Sequence, residues 1–227
     1  MNRRHLLKLG SAGMLAIASP AALLWHSLPA HAANPPAIAP DDALNQLLAG
    51  NRRFVQHQPT YPHQSQQRLQ DVAQAQHPFA VILSCADSRV PAEIIFDQGI
   101  GDLFDIRIAG NIVTPEALGS IEYAVALLNT PLLMVLGHER CGAVTAAVSN
   151  KPLPGEISSF VNAILPAVER VKGQAGDMVN NAVDANVRYQ IERLQQSSLL
   201  TERMQAGALK VVGGRYDLDS GAVTIVA

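Results

Sequence analysis

Five short runs of almost unbroken apolar residues constrain this chain more than any other feature. They are Phe79–Ser84 (FAVILS), Leu103–Ile108 (LFDIRI), Leu132–Leu136 (LLMVL), Ala208–Val212 (ALKVV) and Ala222–Val226 (AVTIV). Each has the length of a strand. A strand without polar alternation must bury both faces, as strands do inside a parallel sheet. Between the runs lie stretches with helical spacing. Residues 115–128 put Leu118, Ile121, Val125 and Leu128 on one stripe, and residues 177–194 put Val179, Val183, Val187, Ile191 and Leu194 on another. Strands alternating with helices predict an α/β domain, with a mostly parallel central sheet of about five strands flanked by helices. Only a polar Gly/Asp turn region joins the last two runs, so the sheet is expected to end in an antiparallel edge. Aromatic residues make up 4% of the 227, so aliphatic side chains must fill the core.

The chain before the first run divides in two. Arg3, Arg4 and Lys8 precede an uncharged apolar stretch from Leu9 to about Leu28, and Ala30-His31-Ala32 has the small-x-small form of a cleavage site. Residues 1–32 therefore read as a signal peptide. The pair Arg3-Arg4 followed by Leu6, Leu7 and Lys8 resembles a twin-arginine export signal, which implies delivery to the periplasm. An ordinary secretory signal is the alternative. An uncleaved anchor fits less well, because the stretch is Ala-rich and broken by Pro20 and Pro29. Cleavage would leave one domain, residues 33–227, with no membrane attachment. Its N-terminal helical arm spans about residues 40–75. The arm comprises a helix over 41–56 with Asp41 as N-cap, a polar extended piece over 57–66 containing Pro59 and Pro62, and a short helix over 68–75.

Charge and cysteine count exclude whole classes. The formal charge of −2 includes three basic residues of the signal; without them it is 14 − 19 = −5. A mildly acidic domain is not a nucleic-acid binder built on a basic surface. Two cysteines, Cys85 and Cys141, cannot make a disulfide-stapled scaffold.

Those two cysteines lie at the ends of apolar runs. The first run leads into Cys85-Ala-Asp87-Ser-Arg89, and the third into Gly137-His138-Glu-Arg-Cys141-Gly142. Ligands of parallel α/β sheets gather at the carboxyl ends of strands, so the two clusters meet if these strands are neighbours. Two thiolates and an imidazole suit zinc, and three protein ligands leave a fourth position open, as at catalytic zinc. The His138-x-x-Cys141 spacing reads as the opening of a helix with its donors on one side. A Cys85–Cys141 disulfide is the competing use of the thiols in an oxidising compartment. A buried charged pair at Asp87 and Arg89, and a histidine three residues before Cys141, have no place in a simple staple.

Together, Cys85-x-Asp87-x-Arg89 and His138-x-x-Cys141 resemble the β-class carbonic anhydrases. So do the segments Ser84–Phe96, Arg107-x-Ala-x-Asn111 and Ser120-Ile-Glu-Tyr123. The resemblance covers about residues 40–226. It implies a zinc lyase (carbonate dehydratase) that interconverts carbon dioxide with bicarbonate and a proton, with one Zn2+ per subunit held by Cys85, His138 and Cys141. It makes Asp87 and Arg89 the catalytic dyad, with Asp87 a zinc ligand only in a closed, inactive state. It assigns Gln76 as a donor to substrate oxygen, and Phe104, Tyr123 and Gly142 to the substrate pocket, Phe104 and Tyr123 coming from a neighbouring subunit. The regulated subgroup carries a tryptophan where this chain has Ile82, so the resemblance is to the plant-like, open-site subgroup. It also implies a homodimer or homotetramer assembled through swapped N-terminal helices. His57, His63 and His77 are proton-shuttle candidates by residue type. Hydrolysis of carbon disulfide or carbonyl sulfide at the same site, and a non-enzymatic zinc or redox-thiol protein, are the alternatives.

Overall fold

The computed structural model describes residues 38–227. The export signal expected over residues 1–32 lies outside the described residues. The first element, α1 (Pro40–Val55), starts with proline at its first position and has Asp41 and Asp42 in its first turn. Both features suit a helix N-terminus, because proline lacks an N–H that would be orphaned there and carboxylates meet the positive end of the dipole. The N-cap is Ala39, which makes no side-chain cap, so the expected capping role of Asp41 is replaced by that of a first-turn acid. α2 (Gln66–Val72) follows, capped by Ser65, whose hydroxyl accepts the Arg68 N–H at 3.1 Å.

The sheet contains β1 (Ala80–Ser84), β2 (Leu103–Arg107), β3 (Leu132–His138), β4 (Lys210–Tyr216) and β5 (Val223–Ile225). Its order is β2-β1-β3-β4-β5, parallel throughout except for the antiparallel β4–β5 pair. All five residues of β1 and all seven of β3 are buried, because these strands lie inside the sheet with helices on both faces. The expected fold class is the observed one. β4 runs further than the apolar pattern suggested, through Gly213 and Gly214. A Cβ on Gly213 would lie 2.6 Å from Val187 Cγ1, so bare backbone is what lets the helix over the strand approach closely.

The helices between strands are α3 (Ala92–Ile95), α4 (Pro115–Leu127), α5 (Gly142–Ser149), α6 (Ile157–Val171), α7 (Met178–Leu194) and α8 (Ser198–Gln205). Thr114 caps α4, Asp177 caps α7 and Ser197 caps α8, each accepting a backbone N–H from the first turn. α1 covers one face of the sheet, where Ala43 and Leu47 are fully buried against Phe79, Ile82 and Phe96 of the same chain. Burying Leu47 alone contributes about 1.5–3 kcal/mol. Ala43 and Leu47 of α1 are thus buried within their own subunit, while Leu44 and Leu48 of the same helix stay partly exposed. On the other face, α4 and α7 pack against β1 and β3 through Ile121, Val125, Val187 and Leu194. A third apolar cluster, formed by α5, α6 and α7, closes around Cys85 and Cys141.

Candidate metal centre and active site

β1 and β3 are neighbours, so the segments that follow them lie side by side. Cys85 comes directly after β1 and is 5% exposed. His138 is the last residue of β3 and is fully buried. Cys141 is the N-cap of α5. The reading of His138-x-x-Cys141 as one helical face is therefore corrected: a tight turn joins a strand end to a helix start. Arg140 makes that turn with a φ of 49°. The short spacing still converges its donors, by chain reversal rather than helical repeat.

The ligating atoms of Cys85, His138 and Cys141 all lie within 4.8 Å of one another, and all three residues are buried. Both cysteines are free thiols. His138 Nδ1 lies 2.8 Å from the Glu139 carbonyl oxygen, which can only accept, so Nδ1 carries the proton. Nε2 is left with a lone pair, and it is buried with no hydrogen-bond partner. An orphaned buried nitrogen is costly unless something binds it. Facing two sulfurs, it fits a zinc ion, and the other ring nitrogen is already fixed as metal-bound histidines require. Hydrogen bonding from Cys141 and from the Gly110 and Asp87 backbones, opposed by burial, holds the Cys85 thiol down at about 4. The same shared proton, with burial, pushes the Cys141 thiol above its ordinary value.

Asp87 and Arg89 project beside this cluster. Arg89 Nε donates to Asp87 Oδ1 at 2.9 Å and Arg89 Nη2 to Oδ2 at 2.8 Å, a two-pronged contact, while the Arg89 N–H also reaches Oδ1 at 2.9 Å. These donors hold the Asp87 carboxyl well below the usual carboxylate range, so it is ionised at any working pH. Asp87 Oδ2 is 3.9 Å from His138 Nε2, so the carboxylate borders the space the metal donors face. The pair is less buried than expected, since the Arg89 side chain is 51% exposed. The backbone beneath is pinned by Arg107, at the end of β2. Its Nη2 donates to the Asp87 carbonyl at 2.6 Å and its Nε to the Cys85 carbonyl at 3.2 Å.

The remaining expected residues are scattered. Gly142 opens α5 next to Cys141, and a Cβ there would meet nothing within 4 Å. Gln76 is exposed in the loop before β1. The Phe104 and Tyr123 rings lie 6.3 Å apart between β2 and α4, tilted by 34°. Phe104 pairs in register with Val81, four residues before Cys85, which is ~13 Å along the strand. The two rings are therefore remote from the thiols of their own chain. His57 and His77 are exposed on loops, and His63 Nδ1 pairs with Asp102 at 2.7 Å, away from the metal cluster. Sequence reasoning missed the use of Arg107, and it missed Gly110, whose N–H donates to Cys85 Sγ at 3.3 Å. Arg107 was visible only as part of the Arg107-x-Ala-x-Asn111 segment, without a role.

Known proteins agree with this geometry. A family model described as carbonic anhydrase matches residues 80–223. Carbonic anhydrase 2 of Mycobacterium tuberculosis (strain CDC 1551 / Oshkosh) is 42% identical over 191 residues, covering 82% of this chain and 92% of that protein. The carbonic anhydrase of Mycolicibacterium smegmatis is 39% identical over 191 residues, covering 82% and 93%. The crystal structure of the β-carbonic anhydrase CafA of Aspergillus fumigatus superposes with a TM-score of 0.66 at 28% identity, covering 82% of this chain and 91% of that one. With a converging Cys–His–Cys set at two neighbouring strand ends, the chain belongs to the β-class carbonic anhydrases, zinc lyases that interconvert carbon dioxide and bicarbonate.

Proposed function

We propose that this chain hydrates carbon dioxide at Cys85, His138 and Cys141 with Asp87 held open by Arg89, as an exported enzyme that works in an oligomer. The observation that carries the chemistry is the buried, unpartnered His138 Nε2 facing two thiols, with an ionised carboxylate 3.9 Å away. Zinc held by the three donors would lower the pKa of a bound water to about 7, supplying hydroxide at neutral pH. Asp87 accepts a hydrogen bond from the attacking oxygen and so aims its lone pair at the carbon of carbon dioxide. Arg89 keeps that carboxylate ionised and in place, and its two-pronged grip keeps Asp87 from turning toward the donor cluster, which supports the open-site reading. Arg107 fixes the backbone from which Asp87 projects. Gly142, without a side chain at the mouth, leaves room for substrate. Gln76 is the further donor to substrate oxygen that the resemblance brings.

The location of Phe104 and Tyr123 supports assembly with a second copy. Phe104 lies ~13 Å along the strand from Cys85, its ring is next to that of Tyr123, and Tyr123 and Leu127 of α4 are 45% and 67% exposed. A neighbouring subunit that covers this surface receives both rings, giving a homodimer or a doubled tetramer. Export through the twin-arginine route to the periplasm rests on Arg3, Arg4, the apolar stretch and Ala30-His31-Ala32. No helix among the described residues is long and apolar enough to cross a membrane.

A stopped-flow indicator assay with carbon dioxide, run beside sulfide release from carbonyl sulfide and carbon disulfide, tests the activity. Rapid hydration by the zinc-loaded chain is expected. Sulfide release without hydration would overturn the substrate assignment.

A further inference from the structure

α7 carries two amides where its buried stripe could be wholly apolar. Asn186 and Gln190 are each 1% exposed, four residues apart on the same helical face. A buried amide is costly unless its groups are paired, and the amides here are used in series. The Gln190 carbonyl oxygen accepts the Val113 N–H at 2.8 Å, and Gln190 Nε2 donates to Asn186 Oδ1 at 2.9 Å. Asn186 Nδ2 in turn donates to the Gly110 carbonyl oxygen at 2.9 Å. The relay therefore grips both ends of the turn over residues 110–113. That turn presents the Gly110 N–H to Cys85 Sγ at 3.3 Å.

The backbone at this point makes one hydrogen bond of its own, from the Asn111 N–H to the Ile108 carbonyl at 2.9 Å, and is otherwise in an uncommon conformation. Gly110 has a φ of 72°, in the left-handed region, and Asn111 follows at 45°. The helix that grips it is itself anchored. Val187, between the two amides in sequence, lies where Cβ atoms on Gly137 and Gly213 would be 2.6 Å away, so α7 sits tightly on β3 and β4. One helix thus sets the backbone next to His138 and, through two amides, the backbone that donates to Cys85.

We infer that Asn186 and Gln190 are positioning residues for the metal centre, holding the 110–113 turn so that the Gly110 N–H stays aimed at the Cys85 sulfur. This rests on Cys85 being a zinc ligand. An N–H donated to a thiolate stabilises the charged form and reduces the electron density it gives the metal. Neither amide touches substrate or metal, so the effect runs through the turn.

The test uses the mature chain and its Asn186→Ala variant, with Leu194→Ala as a control that opens a cavity in the same helix without touching the turn. Zinc affinity is read by chelator competition, and the thiolate-to-metal absorption band is read after cobalt substitution. Asn186→Ala is expected to bind zinc about 10-fold more weakly and to shift the cobalt–thiolate band. Leu194→Ala is expected to melt at lower temperature with both metal readouts unchanged. If Asn186→Ala does not fold, Asn186→Ser is measured in its place against the same expectations. Native zinc affinity and a native cobalt band in the Asn186 variant would overturn the inference, as would equal changes in Leu194→Ala. A native chain that binds no zinc would overturn the metal reading as well, so the two failures are distinguishable.

Discussion

Arg89 engages both carboxylate oxygens of Asp87, two residues away in sequence, while Asp87 Oδ2 stays 3.9 Å from the unpartnered His138 Nε2. The carboxylate thus stands between two attractions, the guanidinium and the metal position. Arg89→Ala releases it toward the donor cluster. The expected outcome is a loss of about 100-fold or more in kcat/KM with zinc still bound, measured by stopped flow and metal analysis. Arg89→Lys is expected to recover little, since an ammonium cannot make the two-pronged contact.

The depressed pKa of Asp87 also has a pH signature. Its folded-state pKa lies below the unfolded carboxylate value of about 3.9. The pair's contribution is therefore fully present above that value and lost only as pH falls through the folded-state value. A kcat/KM profile from pH 5 to 9 should show no acid limb belonging to Asp87. Asp87→Asn should lower the rate across this range without moving the inflection.

Gly110→Ala probes the turn beneath Cys85. A Cβ there would lie 2.5 Å from Ile164 Cδ1 and 3.2 Å from Ala143 Cβ, on a residue with a φ of 72°. Strain and overpacking together should destabilise the chain by about 1–3 kcal/mol. Gly142→Ala, where a Cβ meets nothing within 4 Å, should leave stability unchanged. Denaturant melts of the two variants side by side separate these cases.

Asp105 on β2 titrates in the opposite sense. Burial, with the Glu93 carboxyl beside it, pushes its pKa up to about 7. Between about pH 4 and 7 the folded state holds a proton that the unfolded state has released, so stability falls as pH rises through this window and then levels. Asp105→Asn should remove that slope. Its gain in Tm at pH 8 should be ~2–4 °C, for about 1 kcal/mol, and smaller at pH 5.

Sequence pattern exposed some of this fold and hid the rest for definite reasons. β1 and β3 were plain because central parallel strands bury both faces, which leaves unbroken apolar runs. Cys85, Asp87, Arg89, His138 and Cys141 were legible because strand ends gather them within seven residues of two runs. α6 is hard to read from sequence although Val161, Ile164, Val168 and Val171 mark a helical stripe, because Pro166 lies inside it. β4 looked shorter than it is because Gly213 and Gly214 are usual signs of a turn; here Gly213 admits Val187, and a Cβ on Gly214 would crowd Met134, Leu136 and Val223. Asn186 and Gln190 were invisible because buried amides and solvent-facing amides look alike in one dimension; only the fold brings them to residue 110. Their partners lie 76 and 77 residues away in the chain.

The central claim is that Cys85, His138 and Cys141 form a metal centre rather than a staple and a bystander histidine. Metal analysis of the purified mature chain, combined with a thiol count after denaturation, tests it most directly. One zinc per chain with two free thiols, and loss of the zinc in Cys141→Ser, is the result expected. A Cys85–Cys141 disulfide with no bound zinc would contradict it.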